Sequence, residues 1–203
     1  MSIRQPIYTI GHSSQPIEEF LSQLQRNGIE VLADVRSTPY SARYAHFARE
    51  ALQKTLAVAG IRYLFLGREL GARRDEPECY VEEWASYERI AMLPNFVRGI
   101  ERVLEGADKS RIALMCAEKD PLCCHRTILV CRVLARFGAD IRHIGPGGVL
   151  ETHAHAEQRL IAEELGASDQ GELFAPAGDA DARLQQAYGA RGNRIAYRRS
   201  EKT

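Results

Sequence analysis

Eleven consecutive residues, Cys116-Ala-Glu-Lys-Asp-Pro-Leu-Cys-Cys-His-Arg126, hold three thiols, an imidazole, two acids and a guanidinium. Thiolates attack electrophiles, imidazoles and carboxylates carry protons, and guanidinium groups grip anions through two hydrogen bonds at once. Such a mixture in one segment is the composition of a reaction site. Cys124 is the first candidate nucleophile. It stands where a helix is expected to start, next to Arg126, and both sources of positive potential favour thiolate. Cys116 is the other candidate, as nucleophile or as resolving partner. For each, the competing reading is a core thiol that fills space. Glu118 is either a proton carrier beside Cys116 or a helix-capping acid. His125 is a weaker proton carrier, because adjacent residues on a helix face different directions. Cys123 and Cys131 read as structural.

Three sequence-distant segments add to this set. In Thr9-Ile-Gly-His-Ser13 the glycine lets the backbone turn, and His12 has a reference pKa suited to general acid or base work. The alternative is a histidine that bonds its own loop. Asp34 either orients His12 or pairs with an arginine. Arg36, Arg73, Arg74 and Arg126 would together form an anion site, with Ser13, Tyr40, Ser41 and Arg43 extending it. Any one of these arginines alone would read as a solvated surface residue.

The elements that must position these groups alternate between strand and helix. Strands are expected at Ile7–Ile10, Glu30–Val35, Ile61–Leu66, Arg111–Met115 and Asp140–Ile144. Ile17, Phe20, Leu21 and Leu24 share one helical face. Further helices are expected at Phe47–Ala59, Tyr80–Met92, Asn95–Leu104, Thr127–Phe137 and His153–Leu165. This order predicts an α/β fold: a three-layer, mostly parallel sheet of about five strands with helices on both faces, Rossmann-like or flavodoxin-like. In such sheets ligands bind beyond the carboxyl ends of the strands. Three of the expected strands end there in His12 and Ser13, in Asp34 and Arg36, and in Cys116 and Glu118.

A chain of 203 residues buries a full core. Residues 1–166 read as one α/β domain. Residues 167–203 read as a polar, basic extension, flexible or loosely packed; Arg183 to Thr203 carries six Lys or Arg and one acid. The formal net charge is zero, so no global field marks a nucleic-acid binder. No apolar run approaches the roughly 20 residues of a membrane span, and the amino terminus lacks a signal-peptide pattern. A cytoplasmic location is expected, with the five cysteines as thiols rather than a disulfide framework.

Thr9-Ile-Gly11-His12-Ser13, Asp34-Val-Arg36-Ser37-x-Pro39-x-Ser41, Leu70-Gly71-x-Arg73-Arg74 and Cys116-Ala-Glu118-Lys-Asp-Pro121-x-x-Cys124-His125-Arg126 occur in that order. Together they resemble a bacterial and archaeal family known as domain of unknown function 488, over Tyr8 to about Ile144. The family's name implies no activity, so the chemistry rests on the residues.

Three readings follow. The first is an enzyme with a Cys/His/Arg site acting on a phosphate-bearing substrate such as a nucleotide or nucleic acid. Its Asp34-x-Arg36 strand end and cysteine loop are analogous, at fold level only, to rhodanese-type sulfur transfer. The second is a non-catalytic nucleic-acid-binding module that uses the basic tail. The third is a metal-binding or redox-sensing protein. No cofactor is predicted for the first, while Cys116, Cys123 and Cys124 are the candidate ligands for zinc or an iron–sulfur centre. The expected partners are an anionic small molecule or nucleic acid and no membrane, with the oligomeric state open.

Overall fold

A computed structural model describes residues 5–41, 43–166 and 177–199. In chain order the elements are β1 (Ile7–Gly11), α1 (Ile17–Arg26), β2 (Val31–Asp34), α2 (Arg49–Val58), β3 (Arg62–Phe65), α3 (Gly67–Leu70), β4 (Tyr80–Val81), β5 (Trp84–Ala85), α4 (Tyr87–Ala91), α5 (Pro94–Ala107), β6 (Ile112–Cys116), α6 (Arg132–Arg136), β7 (Ile141–Ile144), β8 (Leu150–Thr152), α7 (His153–Leu165) and α8 (Ala177–Ile195). A π-helical turn, Arg126–Cys131, leads into α6.

Six strands form one sheet in the order β3-β2-β6-β1-β7-β8, parallel except for β8 at the edge. Successive side chains of a strand point to opposite faces, and the core divides accordingly. Tyr8, Ile10, Leu32, Ala113 and Met115 pack with Phe20 and Leu24 of α1 and Leu52 and Leu56 of α2. Ile7, Val31, Ala33, Ile112 and Leu114 pack on the other side, with Phe96, Ile100 and Val103 of α5 and with residues of α6, α7 and α8. The strands in the middle are buried on both faces, which is why β1, β2 and β6 read as continuous apolar runs rather than alternating ones. The three-layer α/β architecture read from the sequence is the one observed.

The topology also creates the crevice. From β1 the chain crosses to β2 on one side of the sheet; from β6 it crosses to β7 on the other. Because β1 and β6 are parallel neighbours, the loops leaving their carboxyl ends diverge, which is the switch point where open α/β sheets bind ligands.

Three expectations are corrected. The sheet has a sixth strand, β8, which returns antiparallel to β7 after the turn at 145–148. Tyr80–Met92 is not one helix. Tyr80–Val81 and Trp84–Ala85 form a hairpin whose turn places Glu82 at φ 55°, and only Tyr87–Ala91 is helical. The local apolar spacing fits a helix there, but the hairpin gains a distant partner: Ala85 N–H donates to Tyr197 O and Arg199 N–H to Glu83 O.

The third correction concerns the tail. Residues 177–195 are a helix packed on α7, with Ala187 and Tyr188 buried. Arg191 is buried against Glu163 and Glu164 of α7 and donates to Leu122 O at 3.1 Å. The charge that suggests a solvated tail is thus the charge that docks it. The polar stretch from Ser168 falls, as far as residue 176, outside the described residues. Among the described residues no helix is long and apolar enough to cross a membrane.

Candidate active site

The loops after β1 and β6 are tied together before they diverge. His12 N–H donates to Cys116 O at 2.9 Å, and Ser13 N–H to Ala117 O at 2.8 Å. Ser13 takes a left-handed conformation, φ 45°, unusual for a residue with a side chain and typical of functional loops. Gly11 is required by contact. A Cβ there would fall on the Glu118 carbonyl oxygen and lie 3.1 Å from Arg126 Nη1. The crevice opens into a cavity of about 1020 Å³.

Its floor holds the sulfur chemistry. Cys116 ends β6, and Cys124 follows a turn of 3-10 helix begun by Asp120, whose carboxylate accepts Leu122 N–H at 3.0 Å. Cys124 is extended (φ −139°, ψ 140°), not helical, so His125 does not point away from it. His125 Nδ1 lies 3.6 Å from Cys116 Sγ and 3.9 Å from Cys124 Sγ. Its Nε2–H donates to Val35 O at 3.0 Å. A carbonyl only accepts, so Nε2 carries a proton, and Nδ1 is the ring atom that faces both sulfurs. The lower rank given to His125 in the sequence rests on treating Cys124 and His125 as neighbours on one helix, whereas Cys124 is extended.

The two thiols differ sharply. Burial alone would push Cys124 up. It is outweighed by a hydrogen bond from Cys116 and by the charges of Arg126 and His125, which hold Cys124 well below the ordinary thiol range. The same hydrogen bond, followed by burial, holds Cys116 well above it. Cys116 therefore keeps its proton and donates it to a Cys124 thiolate, which also accepts Arg126 N–H at 3.5 Å. Arg126 supplies an independent reason. It is 0% exposed. Its Nη1 and Nη2 donate to the carbonyls of Glu118 and Lys119 at 2.6 and 3.2 Å, its Nε has no partner, and among the described residues no carboxylate pairs with it. A buried cation left without counter-charge is costly. The thiolate of Cys124 provides that charge.

His12 is bonded to its own loop, the alternative that the sequence offered for it. Arg36 Nη1 donates to His12 Nε2 at 3.2 Å, so the proton is on Nδ1, which donates to Ser13 O at 3.0 Å. Burial, with the charge of Arg36, lowers its pKa to about 4. Both nitrogens are occupied and the ring is neutral, stacked 4.4 Å from Phe47. Asp34 does not orient His12 directly. It binds Arg36 through Oδ1 to Nε at 2.9 Å and Oδ2 to Nη2 at 2.6 Å, and accepts Tyr63 O–H at 2.7 Å. The Asp34–Arg36–His12 chain is a rigid wall beside the sulfurs.

The family model described as a domain of unknown function, DUF488, matches residues 16–133, more than half of the chain. The chain belongs to the DUF488 family. No curated protein and no solved structure matches it.

In this DUF488 protein the cavity is lined by His12, Ser13, Arg36, Ser41, Arg43, Arg73, Cys116, Glu118, Cys124 and His125, all expected at the site from sequence. Asp34, Arg74 and Arg126 do not line it. Asp34 lies beneath Arg36. Arg126 lies behind Cys124. Arg74 is buried and donates to the carbonyls of Arg68 and Glu69 at 2.9 and 3.1 Å, which staples its own loop. Arg74 and Arg126 were expected to grip a ligand and instead grip backbone.

The rim is cationic, with Arg43, Arg73, Lys119 and Arg198 against Glu118. Partial burial and then the neighbouring Cys124 push the Glu118 carboxyl up. Sequence reasoning missed Lys119, Tyr44 and 195–198 as lining residues. The last segment forms a wall through the hairpin pairing, and Tyr197 carries the Arg73 guanidinium 4.8 Å above its ring. Nothing local marks these residues, because their neighbours are more than a hundred positions away.

The donor atoms of Cys116, Cys124 and His125 lie within 4.8 Å of one another, a spacing that suits a soft metal ion as well as a proton-sharing pair. Cys123, exposed at the rim, is not among them. The charge count differs between the two: two thiolates would balance a divalent ion, whereas one thiolate and one thiol would balance Arg126.

Proposed function

We propose that this DUF488 protein is an enzyme in which the Cys124 thiolate attacks a phosphate-bearing substrate held by the rim cations. The observation that carries this reading is a cysteine beside a buried arginine that no carboxylate bridges among the described residues, at the floor of an open cavity ringed by positive side chains. Arg43, Arg73 and Lys119 supply the attraction for phosphate, and the exposed ring of Tyr40 offers a face on which a nucleobase can stack. His125 and the raised Glu118 carboxyl stand beside the sulfurs as proton carriers. His12 and Arg36 shape the wall and transfer no proton.

The tail arginines support an enzyme over a binding arm. Arg191 and Arg194 face carboxylates of α7, and Arg198 faces Glu83, so much of the tail's charge is already neutralised.

The test is paired. Alkylation by iodoacetamide is followed against pH for wild type, Cys116→Ser and Cys124→Ser. Thermal stabilisation is then screened with inorganic phosphate, pyrophosphate, nucleoside phosphates and a short single-stranded oligonucleotide. The reading requires alkylation of Cys124 well below the pH at which ordinary thiols react. It also requires stabilisation by phosphate compounds that survives Cys124→Ser and is lost in Arg43→Glu/Arg73→Glu. A thiol of ordinary acidity with no anion response removes its support, and stoichiometric zinc in freshly purified protein replaces it with a metal centre.

A further inference from the structure

We propose that Cys124 and Cys116 form a dithiol–disulfide couple, Cys124 attacking and Cys116 resolving, that exchanges with anionic low-molecular-weight disulfides. This rests on the Cys124 thiolate and not on the phosphate-bearing substrate. Of the five cysteines, only these two have their sulfurs within 4.8 Å of each other and of an imidazole nitrogen, on the floor of a cavity open to solvent. Cys79 and Cys131 are buried in the core, where burial pushes both thiols up.

The chemistry closes with the groups present. The Cys124 thiolate attacks one sulfur of the small disulfide. Its S–S bond breaks, a mixed disulfide forms on Cys124, and the first small thiolate leaves. Cys116 then gives its proton to His125 Nδ1, 3.6 Å away, and attacks Cys124 Sγ. The Cys116–Cys124 bond forms as the mixed disulfide breaks. The second small thiolate departs and takes up the proton from His125. In sum, the Cys124 thiolate, the Cys116 thiol and one small disulfide become one protein disulfide, one small thiolate and one small thiol. The cationic rim favours a co-reactant carrying carboxylates. Arg126 sets the direction. Forming the disulfide discharges the thiolate and leaves a fully buried guanidinium without counter-charge, so the couple leans towards the dithiol and its oxidised form is readily reduced.

The experiment uses the reduced full-length chain and glutathione disulfide. After incubation near neutral pH, free thiols are alkylated and the peptides mapped. Wild type is expected to show a Cys116–Cys124 link, Cys116→Ser to stop at the mixed disulfide on Cys124, and Cys124→Ser to show neither. Arrest of wild type at the mixed disulfide, a Cys123–Cys124 link, or no reaction at Cys124 overturns the couple. If a variant fails to fold, the wild-type map alone decides. A link formed without any response to phosphate compounds sinks the substrate reading alone. Phosphate stabilisation with acid-range alkylation but no link sinks this one alone.

Discussion

Arg126 and Asp34 show how a buried charge and its counter-charge govern single residues here. Arg126 makes a Cys124 thiolate favourable, and Cys116 stabilises it by donating an S–H. A hydrogen bond to a charged group is worth about 1.5–3 kcal/mol. Cys116→Ala should therefore move the alkylation profile of Cys124 up by about one to two pH units, read by rate against pH. No change would mean that Cys116 does not donate. Asp34 is fully buried, and its carboxylate neutralises Arg36. Asp34→Ala strands that guanidinium and removes the acceptor of Tyr63 O–H. The expected loss is about 3–5 kcal/mol in denaturant unfolding. The residue types of the sulfur site were legible in the sequence because reactive groups cluster there without structural need. Which of Arg36, Arg73, Arg74 and Arg126 meet solvent was not legible, since burial is decided by packing rather than by type.

Among the elements, the segment from Cys116 to Cys131 matters most. Cys124 is extended, and the helix that follows opens with a π-helical turn, a form found mostly at functional sites. Because Cys124 is extended rather than helical, the His125 side chain faces both sulfurs. Gly11 keeps β1 close enough for Arg126 and the Glu118 carbonyl to sit against it. Gly11→Ala should displace that carbonyl, loosen Arg126 and cost about 1–3 kcal/mol by overpacking. The readout is a lowered melting temperature with a Cys124 alkylation profile moved upward. A variant with wild-type values for both would show that the loop has slack. The hairpin at Tyr80–Ala85 replaces the helix expected there because its distant partner, the segment around Tyr197, comes from more than a hundred positions along the chain.

For the whole molecule, buried histidines connect fold to pH. Thr9 Oγ1, His143, His153 and Tyr188 form a hydrogen-bonded chain from β1 through β7 to α7 and α8, ending where Tyr188 O–H donates to Glu157 at 2.9 Å. Burial lowers His143, which His153 and nearby arginines lower further, and burial lowers His153. Burial also takes His12 to about 4. A histidine whose folded pKa lies below its unfolded value binds its proton first in the unfolded chain. Its stabilisation is present above pH 6.5 and is lost as pH falls towards the folded pKa. Each such group removes about 1.4 kcal/mol per pH unit in that window. Asp120 and Glu151, both held below the usual carboxylate range by Arg159 despite burial, act only at lower pH. Stability should hold above pH 7 and drop steeply between pH 6.5 and 5, measured by denaturant melts at a series of pH values. A flat profile across that range would contradict the neutral, buried assignment of the three rings.

The amino-acid order by itself determined that five parallel strands alternate with helices and that Cys116, Cys124, His12 and Arg36 stand at strand or loop ends facing one edge. Hydrophobic period and turn residues are local, and a parallel sheet converts that local order into convergence. Only the tertiary structure decided how these groups are buried, paired and charged. The lowered Cys124 thiol, the neutral ring of His12 and the wall built from 195–198 all depend on burial and on contacts between distant segments. Desolvation and counter-charge are properties of the packed surroundings, and no sequence window contains them.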